Sequence, residues 1–534
     1  MEGAFLNGET LYRQLEQAPE LKGRLFRYGY LIAEADVDLP RALPVLSDWR
    51  ALPFGDLRIW LHPEQRAFFH RGPAGDLFLI GHCYDPFARE HREEACLAKL
   101  SAALEEGEGA YGRALSDLTG VFLTGFLRAG ELTVYGDAAG MLMTYYGLVD
   151  GRRCLSSHAQ LLGGLFGLEQ SPYVRALTGY RYYPLFGLSL PGDLSPYAPF
   201  RRLVPDHRAV FSGGEVRVER FWPVQEWDEL AAQGSPEERA AEIARILTDT
   251  MALIPQKWAR PAISVTGGCD SKTTLACTVG SRDRYQYFSY VSQPPERVDA
   301  QGAGKICARL GLPHRVYEIP EDSGGLPRYG LQRDLIAWNT GDIGYIRDNE
   351  ARKRVYLAEL DDFDVEVKSW CSEIARAYFC KRFAKTRFPK EPTARYLTTL
   401  YKVFLQDRRL VRQTDAVFGQ YLRTYLDPAG RKGWPWQELF FWEFRVSAWN
   451  GLVITGEHRY AFDITIPYNN RRLLERMLTV PQELRVRDGL YALIRQAADP
   501  EVDRAGVAVA NVKHTSRRAK LERAYLEIHA RLPF

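Results

Sequence analysis

The chain has 534 residues, of which 46% are hydrophobic and 26% are charged, and its formal net charge is +3. This length predicts about two to four domains, and the near balance of charge argues against a dedicated nucleic-acid-binding protein, which would carry a basic stripe. No run of about 18 apolar residues occurs, so we expect no membrane-spanning helix. The N-terminus has no apolar signal segment and the eight cysteines form no CxxC pair, which favours reduced thiols and a cytoplasmic protein.

The first part of the chain is dominated by short segments in which aromatic and β-branched residues alternate with polar ones. Turn signals separate these segments, as expected for antiparallel strands. A helix is predicted from Glu93 to Glu106. Together these elements predict an antiparallel, layered α+β domain. The predicted strands are LRIWLHP, AFFHRG, DLFLIGHCYD, GVFLTGFL and LTVYGD.

A polar, loop-like stretch between Pro223 and Pro236 marks the predicted domain boundary. It ends in Gly-Ser-Pro-Glu-Glu, a favourable start for a helix, and the apolar positions that follow have helical spacing. We therefore predict two domains, residues 1–222 and residues 236–534.

From Pro261 onward, predicted strands alternate with predicted helices. The order is strand AISVT, a short helix, strand YQYFSYV, helix DAQGAGKICARLGL and strand HRVYEI. This alternation predicts βαβ units with a parallel sheet. The chain after about Trp338 predicts a helical C-terminal part, so the overall fold class is α/β together with α+β.

The loop after the first of these strands has the sequence SVTGGCDSKTTLA. Gly267 and Gly268 end the strand, and Asp270 or Ser271 is predicted to cap the following helix. A helix N-terminus attracts anions, phosphate above all, and Lys272 in its first turn is favourable only if an anion lies beside it. The alternative is an ordinary loop whose polar residues only cap the helix. The spacing fits neither G-x-x-x-x-G-K-[ST] nor G-x-G-x-x-G.

The segment T-G-G-C-D-S resembles the S-G-G-x-D-S pyrophosphate loop of the ATP pyrophosphatases, in particular the asparagine synthetase-like branch. The resemblance implies that the loop holds the β- and γ-phosphates of ATP and that the aspartate helps to bind Mg²⁺. It also implies attack of a carboxylate on the α-phosphorus, giving an acyl-adenylate and pyrophosphate. The phosphate-binding residues implied here are Thr266, Gly267, Gly268, Asp270, Ser271 and Lys272.

The N-terminal part is similar to the Ntn glutamine-amidotransferase-like domain of asparagine synthetases. The similarity lies in DLTGVFLTGF, GDAAGMLMTYYG and LSSHAQLL. A glutaminase of that kind uses an N-terminal cysteine, whereas here Met1 precedes Glu-Gly-Ala and the first cysteine is Cys83. We therefore interpret this domain as a degenerate one without glutamine hydrolysis. The same loss occurs in β-lactam synthetases and lasso-peptide cyclases, which use an amine of the substrate.

The segment KSWCSEIARAY stands where that family has G-x-G-x-D-E-x-x-x-G-Y. Glu373 and Tyr378 match this pattern, while Ser372 replaces a magnesium-binding aspartate. The resemblance implies that Glu373 holds Mg²⁺ together with Asp270. The alternative is a helix-face glutamate paired with Arg376 three residues later.

Two catalytic candidates come from the C-terminal part. Lys513, in VANVKHTS, stands where the family has a lysine that meets the phosphates, and it would stabilise the negative charge of the transition state. Glu443, in WEFRVSAW, is a candidate base for the amine, with a surface glutamate as the alternative.

The predicted function is an ATP-dependent ligase that adenylates a carboxylate and captures it with an amine, with ATP and Mg²⁺ as cofactors. The expected substrates are small-molecule or peptide carboxylates and amines, and the expected partners are a biosynthetic protein or a second copy of the chain. One alternative is amidation with free ammonia or with ammonia from a separate glutaminase. Another is a scaffold without catalytic activity.

Overall fold

The computed structural model describes residues 6–185, 188–341, 343, 346–402, 405–507 and 517–531. Its described strands form two antiparallel sheets in the first part of the chain and one parallel sheet in the second, with helices throughout. The predicted fold class is therefore confirmed.

Twelve strands build the two antiparallel sheets. In chain order they are β1 (Tyr30–Glu34), β2 (Arg50–Phe54), β3 (Leu57–Leu61), β4 (Ala67–Gly72), β5 (Gly75–Tyr84), β6 (Thr119–Arg128), β7 (Glu131–Gly136), β8 (Tyr145–Val149), β9 (Arg152–Ser156), β10 (Phe200–Arg202), β11 (His207–Ser212) and β12 (Glu215–Arg220).

These strands pair in the orders β10-β8-β9-β1-β3-β2 and β12-β11-β7-β6-β5-β4. The two sheets face each other across a common core, since the ring of Phe54 in β2 lies 5.3 Å from that of Phe78 in β5. All five strands predicted from the alternation in this region are confirmed, and so is the helix Glu93–Glu106.

The parallel sheet consists of β13 (Pro261–Ser264), β14 (Gln286–Val291), β15 (Arg315–Glu318), β16 (Val365–Val367) and β17 (Asp463–Thr465). Its order is β15-β14-β13-β16-β17, with every neighbouring pair parallel. The chain builds outward from β13 to β15 and then crosses to the other side of β13. This reversal is a topological switch point, where ligands bind at the carboxyl ends of the strands.

The helices surround and connect these sheets, and those after Trp338 confirm the predicted helical C-terminal part. They are α1 (Gly8–Glu16), α2 (Leu39–Ala42), α3 (Glu93–Glu106), α4 (Glu108–Ser116), α5 (Ala159–Leu165), α6 (Pro172–Thr178), α7 (Trp227–Ala231), α8 (Pro236–Lys257), α9 (Cys269–Ala276), α10 (Pro294–Arg309), α11 (Tyr329–Asn339), α12 (Asp348–Ala358), α13 (Tyr378–Phe383), α14 (Ala394–Tyr401), α15 (Arg408–Tyr425), α16 (Trp436–Leu439), α17 (Leu452–Gly456), α18 (Arg471–Leu478), α19 (Gln482–Val486), α20 (Gly489–Ala498) and α21 (Arg517–His529).

Shorter helical turns supplement them. The 3₁₀ segments are Pro19–Arg24, Pro44–Leu46, Arg282–Arg284, Ser372–Arg376, His458–Tyr460 and Pro500–Ala505. A π-helix spans Phe440–Gly451 between α16 and α17. None of the helices among the described residues has the length and apolar character needed to cross a membrane.

Helix α8 begins where the sequence predicts it, at Pro236. The Ser235 side chain accepts from the backbone N–H of Glu238, and the Glu238 side chain accepts from the backbone N–H of Ser235. This reciprocal capping box satisfies two amides at the helix start. The domain limits themselves, 1–222 and 236–534, stay a prediction.

The π-helix links the antiparallel sheets to the C-terminal part of the chain. The indole N–H of Trp442 donates to the carbonyl of Ala138 at 2.8 Å. The hydroxyl of Ser447 accepts from Arg202 at 2.7 Å. These two hydrogen bonds attach the π-helix to the antiparallel sheets. Other residues of the same helix line the cavity described below.

Candidate functional site

The glycine turn leaves the central strand β13 and enters α9 through Gly268. Gly268 is the N-cap, with an extended backbone, so the predicted capping by Asp270 or Ser271 is wrong. The hydroxyl of Ser271 instead accepts the backbone N–H of Thr266 at 2.9 Å, and the hydroxyl of Thr266 accepts that of Gly268 at 3.2 Å. The helix begins earlier than predicted because these two hydroxyls accept backbone N–H groups within the turn and do not cap the helix.

Gly267 lies where the turn packs against α10. A methyl group added to Gly302 of α10 would lie 3.4 Å from the Cα atom of Gly267 and 3.2 Å from a side-chain carbon of Val507. Asp299, on the same helix, faces this turn, and burial raises the pKa of its carboxyl, with a further contribution from the charge of Glu296. The close approach explains why small residues occupy both positions.

A cavity of about 1170 Å³ opens at the carboxyl ends of the parallel strands. Thr266 after β13, Ser289 and Tyr290 in β14, and Lys368 after β16 contribute to its wall. Ligand pockets in proteins occupy roughly 300–1,000 Å³, so this cavity has room for more than one substrate. It lies on both sides of the switch point at β13.

Thr266 is the one predicted phosphate-binding residue that lines this cavity. Lys272 is buried, and its ammonium donates to the carbonyl of Val507 at 3.0 Å and lies 3.1 Å from Asp503. Lys513 lies outside the described residues. The phosphate-binding roles of the loop residues and the catalytic role of Lys513 stay predictions.

Asp270 is already engaged by protein donors. One of its oxygens accepts from Arg376 at 2.6 Å and the other accepts from the hydroxyl of Ser372 at 2.8 Å. Arg376 also binds Asp488 through two hydrogen bonds. No group of three acidic, histidine or cysteine residues able to hold a metal occurs in the part of the chain that the structure describes.

Glu373 is largely buried near Asp270. One of its oxygens accepts from the amide of Asn450 at 2.6 Å. Burial raises the pKa of Glu373 to about 7, with a further contribution from the negative charge of Asp270. Arg376 pairs with Asp270 and Asp488 and not with Glu373, so the alternative of an i,i+3 ion pair is wrong.

A Mg²⁺ ion at Asp270 would have to share this carboxylate with protein donors. Mg²⁺ is bound by one or two carboxylates together with phosphate oxygens, but both oxygens of Asp270 accept hydrogen bonds from Arg376 and Ser372. The metal roles of Asp270 and Glu373 remain predictions, and no chemical step below depends on them.

Glu443 is fully buried on the π-helix, so the alternative of a surface glutamate is wrong. Its two oxygens accept from Arg220 at 2.6 and 2.9 Å. This two-point ion pair joins the π-helix to β12 and leaves the carboxylate outside the cavity wall. The arrangement therefore offers no support for Glu443 as the base, a role that stays a prediction.

Sequence reasoning missed most of the charged residues in the cavity wall. Three of these cations pair with carboxylates: Lys353 with Glu296 and Glu350 at 2.8 and 3.0 Å, Arg354 with Glu457 at 3.0 Å, and Lys368 with Glu366 at 2.5 Å. Lys353 and Arg354 are neighbours on α12, whereas Lys368 follows β16, so no spacing or motif in the sequence groups all three. Tyr378, which the comparison of KSWCSEIARAY identified, does line the cavity, as does Thr266.

No protein-family model matches this sequence, and no curated protein matches it. Among solved structures, the chain is similar to an allosteric regulatory enzyme of purine biosynthesis, with 12% identity and a TM-score of 0.23 over 52% of this chain and 62% of that one. It thus spans less than two thirds of that enzyme.

Two further solved structures are similar at the same low level. One is the glutamine phosphoribosylpyrophosphate amidotransferase from B. subtilis complexed with ADP and GMP, with 10% identity and a TM-score of 0.22 over 68% of this chain and 73% of that one. The other is the glutamine-dependent NAD⁺ synthetase from Acinetobacter baumannii in complex with ADP, with 12% identity and a TM-score of 0.19 over 67% and 92%. At these TM-scores the similarities support no conclusion about activity.

Proposed function

We propose that the protein is an ATP-dependent, AMP-forming carbon–nitrogen ligase. The observation that supports this proposal best is the position of the glycine turn. It leaves the central strand at the switch point of a parallel sheet, enters a helix N-terminus and contributes Thr266 to a large cavity. Such a position is where open α/β sheets bind their ligands.

The start of α9 suits an anionic ligand for a physical reason. The first amides of a helix have no acceptor within the helix, and the helix dipole adds positive potential at the same end. Thr266 takes up the N–H of Gly268, and the amides of Cys269, Asp270 and Ser271 are the donors that a triphosphate would use. MgATP would enter as a substrate.

The reaction then proceeds in two balanced steps. A carboxylate oxygen of the substrate attacks the α-phosphorus, the bond to the β-phosphate breaks, and pyrophosphate leaves. An amine nitrogen next attacks the acyl carbon, forming the C–N bond while AMP leaves and the nitrogen loses a proton. The resemblance of T-G-G-C-D-S to a pyrophosphate loop supports cleavage at this bond. In the same proposal Lys513 stabilises the departing pyrophosphate.

The source of the nitrogen is a substrate amine in this proposal, with free ammonia as the second candidate. All eight cysteines are buried, and a cysteine nucleophile has to be accessible and easily ionised. Burial raises the pKa of Cys154, Cys277, Cys307 and Cys380 to about 12. These properties argue against glutamine hydrolysis by any of these thiols.

The test is a product analysis of ATP turnover by phosphorus NMR. Pools of amino acids, uronic acids and short peptides supply the carboxylate, and methylamine or ammonium supplies the nitrogen. The proposal predicts AMP and pyrophosphate in equal amounts, and no glutamate when glutamine is the only nitrogen source. ADP and inorganic phosphate as the products would contradict it.

A further inference from the structure

Arg445 differs from the other buried cations of the cavity. Lys353, Arg354 and Lys368 each pair with a carboxylate. Arg445 lines the same cavity and is only 9% exposed, yet it forms an ion pair with no carboxylate of the described residues. It is thus a buried positive charge without a carboxylate partner among the described residues.

The surroundings of Arg445 increase the need for an anion. Burial lowers its pKa most, its hydrogen-bonded partner Tyr378 raises it, and the neighbouring Arg382 lowers it. A guanidinium has five N–H donors and no acceptor, so one tyrosine hydroxyl leaves donors available towards the cavity. A buried charge without a counter-ion costs free energy, and a bound anion removes that cost.

The shape of Arg445 favours a planar anion. Its guanidinium lies 4.6 Å from the ring centre of Trp449, four residues later on the π-helix. Stacking on one face leaves the edge of the guanidinium, where the N–H groups lie, free to meet a carboxylate or sulfonate in two-point fashion.

Two apolar side chains of the cavity wall are exposed. Trp449 is 38% exposed and Leu185 is 49% exposed, and both line the cavity. A large exposed apolar side chain beside a cavity is a surface that a ligand can cover. An aromatic body would stack on Trp449 at a favourable distance.

We propose that Arg445, Tyr378, Trp449 and Leu185 form a subsite for an organic anion with an aromatic or long apolar body. In the ligase proposed above this ligand is the substrate other than ATP, and that assignment rests on the proposed function. Arg445 then acts as the residue that selects and positions the anionic group. The subsite itself needs no reaction and can be tested by binding.

The test compares two fluorescent probes of nearly equal size. 8-Anilinonaphthalene-1-sulfonate carries an aromatic body and an anion, whereas N-phenyl-1-naphthylamine has the same body without the charge. We expect saturable binding of both probes by the full chain, with the sulfonate bound more tightly. Arg445→Met should weaken the sulfonate about tenfold or more, the scale of a charge-assisted hydrogen bond, and should leave the neutral probe unchanged.

Two further variants are controls for this result. Arg347 lines the same cavity but is exposed, so Arg347→Met should change sulfonate affinity less than about fivefold, as for an exposed charge. Arg445→Lys, which keeps the charge, should retain most of the sulfonate preference. Unchanged binding of the neutral probe shows that each variant keeps its fold. Equal losses in Arg445→Met and Arg347→Met would overturn the proposal, because general positive potential would then explain the preference.

The role of ATP separates this subsite from the nucleotide site. We expect MgATP to leave sulfonate binding to the wild-type chain unchanged or to strengthen it. Competitive displacement of the sulfonate by MgATP would overturn the assignment to the second substrate, because Arg445 would then bind phosphate. The binding preference for the sulfonate does not depend on turnover. It can therefore be observed even if AMP is never formed, and it can be absent although AMP is formed.

Discussion

Glu373 shows how an isolated residue acquires unusual chemistry from its surroundings. The sequence comparison selected it as a carboxylate of the site, and the structure places it near Asp270 with Asn450 as its hydrogen-bond donor. No sequence pattern could have predicted Asn450, because it comes from the π-helix 77 residues later.

The raised pKa of Glu373, about 7 against an ordinary 4.5, has a consequence for stability. Between these pH values the folded protein binds more protons at this group than the unfolded chain does, so the free energy of unfolding falls as pH rises through that window. Glu373→Gln removes this contribution. As pH rises from 5 to 8, the free energy of unfolding of the variant should increase relative to that of the wild type by on the order of 1–3 kcal/mol. Urea unfolding at each pH measures this difference. Parallel pH profiles for the two proteins would contradict this expectation.

Glu443 is the residue for which sequence reasoning gave the least useful prediction. Its acidic character is visible in the sequence, but its partner Arg220 lies 223 positions earlier. We expect Glu443→Gln to lower the free energy of unfolding by about 3 kcal/mol, because the change leaves the guanidinium buried without its counter-ion. Guanidinium chloride would screen the charge, so urea unfolding is the measurement.

The double variant Glu443→Gln with Arg220→Met is the matched control for this ion pair. It should be more stable than Glu443→Gln alone, because no uncompensated charge remains. Unchanged stability together with lost turnover in Glu443→Gln would instead support the role of Glu443 as a base.

At the scale of elements, segments with a clear period, start signal or turn were predictable, and the strands β16 and β17 were not. Helix α8 follows from its start signal and helical spacing, and β5 and β6 follow from alternation. Strands β16 and β17 have three residues each, too few for any period to be recognised. The π-helix has a helical composition, but nothing in FFWEFRVSAWNG distinguishes it from an α-helix.

The capping box of α8 gives a prediction at this scale. Ser235→Ala removes the side-chain acceptor for the N–H of Glu238. We expect a loss of about 1 kcal/mol in the free energy of unfolding, as for other helix caps. Ser235→Asp, which supplies another acceptor, should be close to wild type in the same urea titration. An equal loss in both variants would show that the cap does not stabilise the helix.

At the scale of the whole molecule, the sequence predicted an antiparallel α+β part followed by a part with a parallel α/β sheet. It also predicted the glycine turn that contributes Thr266 to the cavity. It could not predict the cavity wall, since the wall residues come from β14, α10, α12, the π-helix and α17, which only the folded chain brings together. That Arg445 has no carboxylate partner among the described residues could not be predicted for the same reason.

The burial of all eight cysteines is a property of the whole fold with a simple test. Native protein should react with dithionitrobenzoate far more slowly than a free thiol, whereas eight thiols should react promptly in denaturant. The physical reason is that each thiol is shielded and a buried thiol resists ionisation. A thiol that reacts promptly in the native protein would reopen the question of a cysteine nucleophile.

Exchange of labelled pyrophosphate into ATP tests the central claim most directly. The variant pair is Thr266→Ser and Thr266→Asp. Both side chains can accept the N–H of Gly268, as Thr266 does, but only aspartate adds a negative charge where the phosphates would bind. We predict acid-dependent exchange by the wild type and by Thr266→Ser, and a loss of at least about tenfold in Thr266→Asp from charge repulsion. Equal exchange by all three proteins, or none by the wild type with any pool of carboxylic acids, would contradict the proposed function.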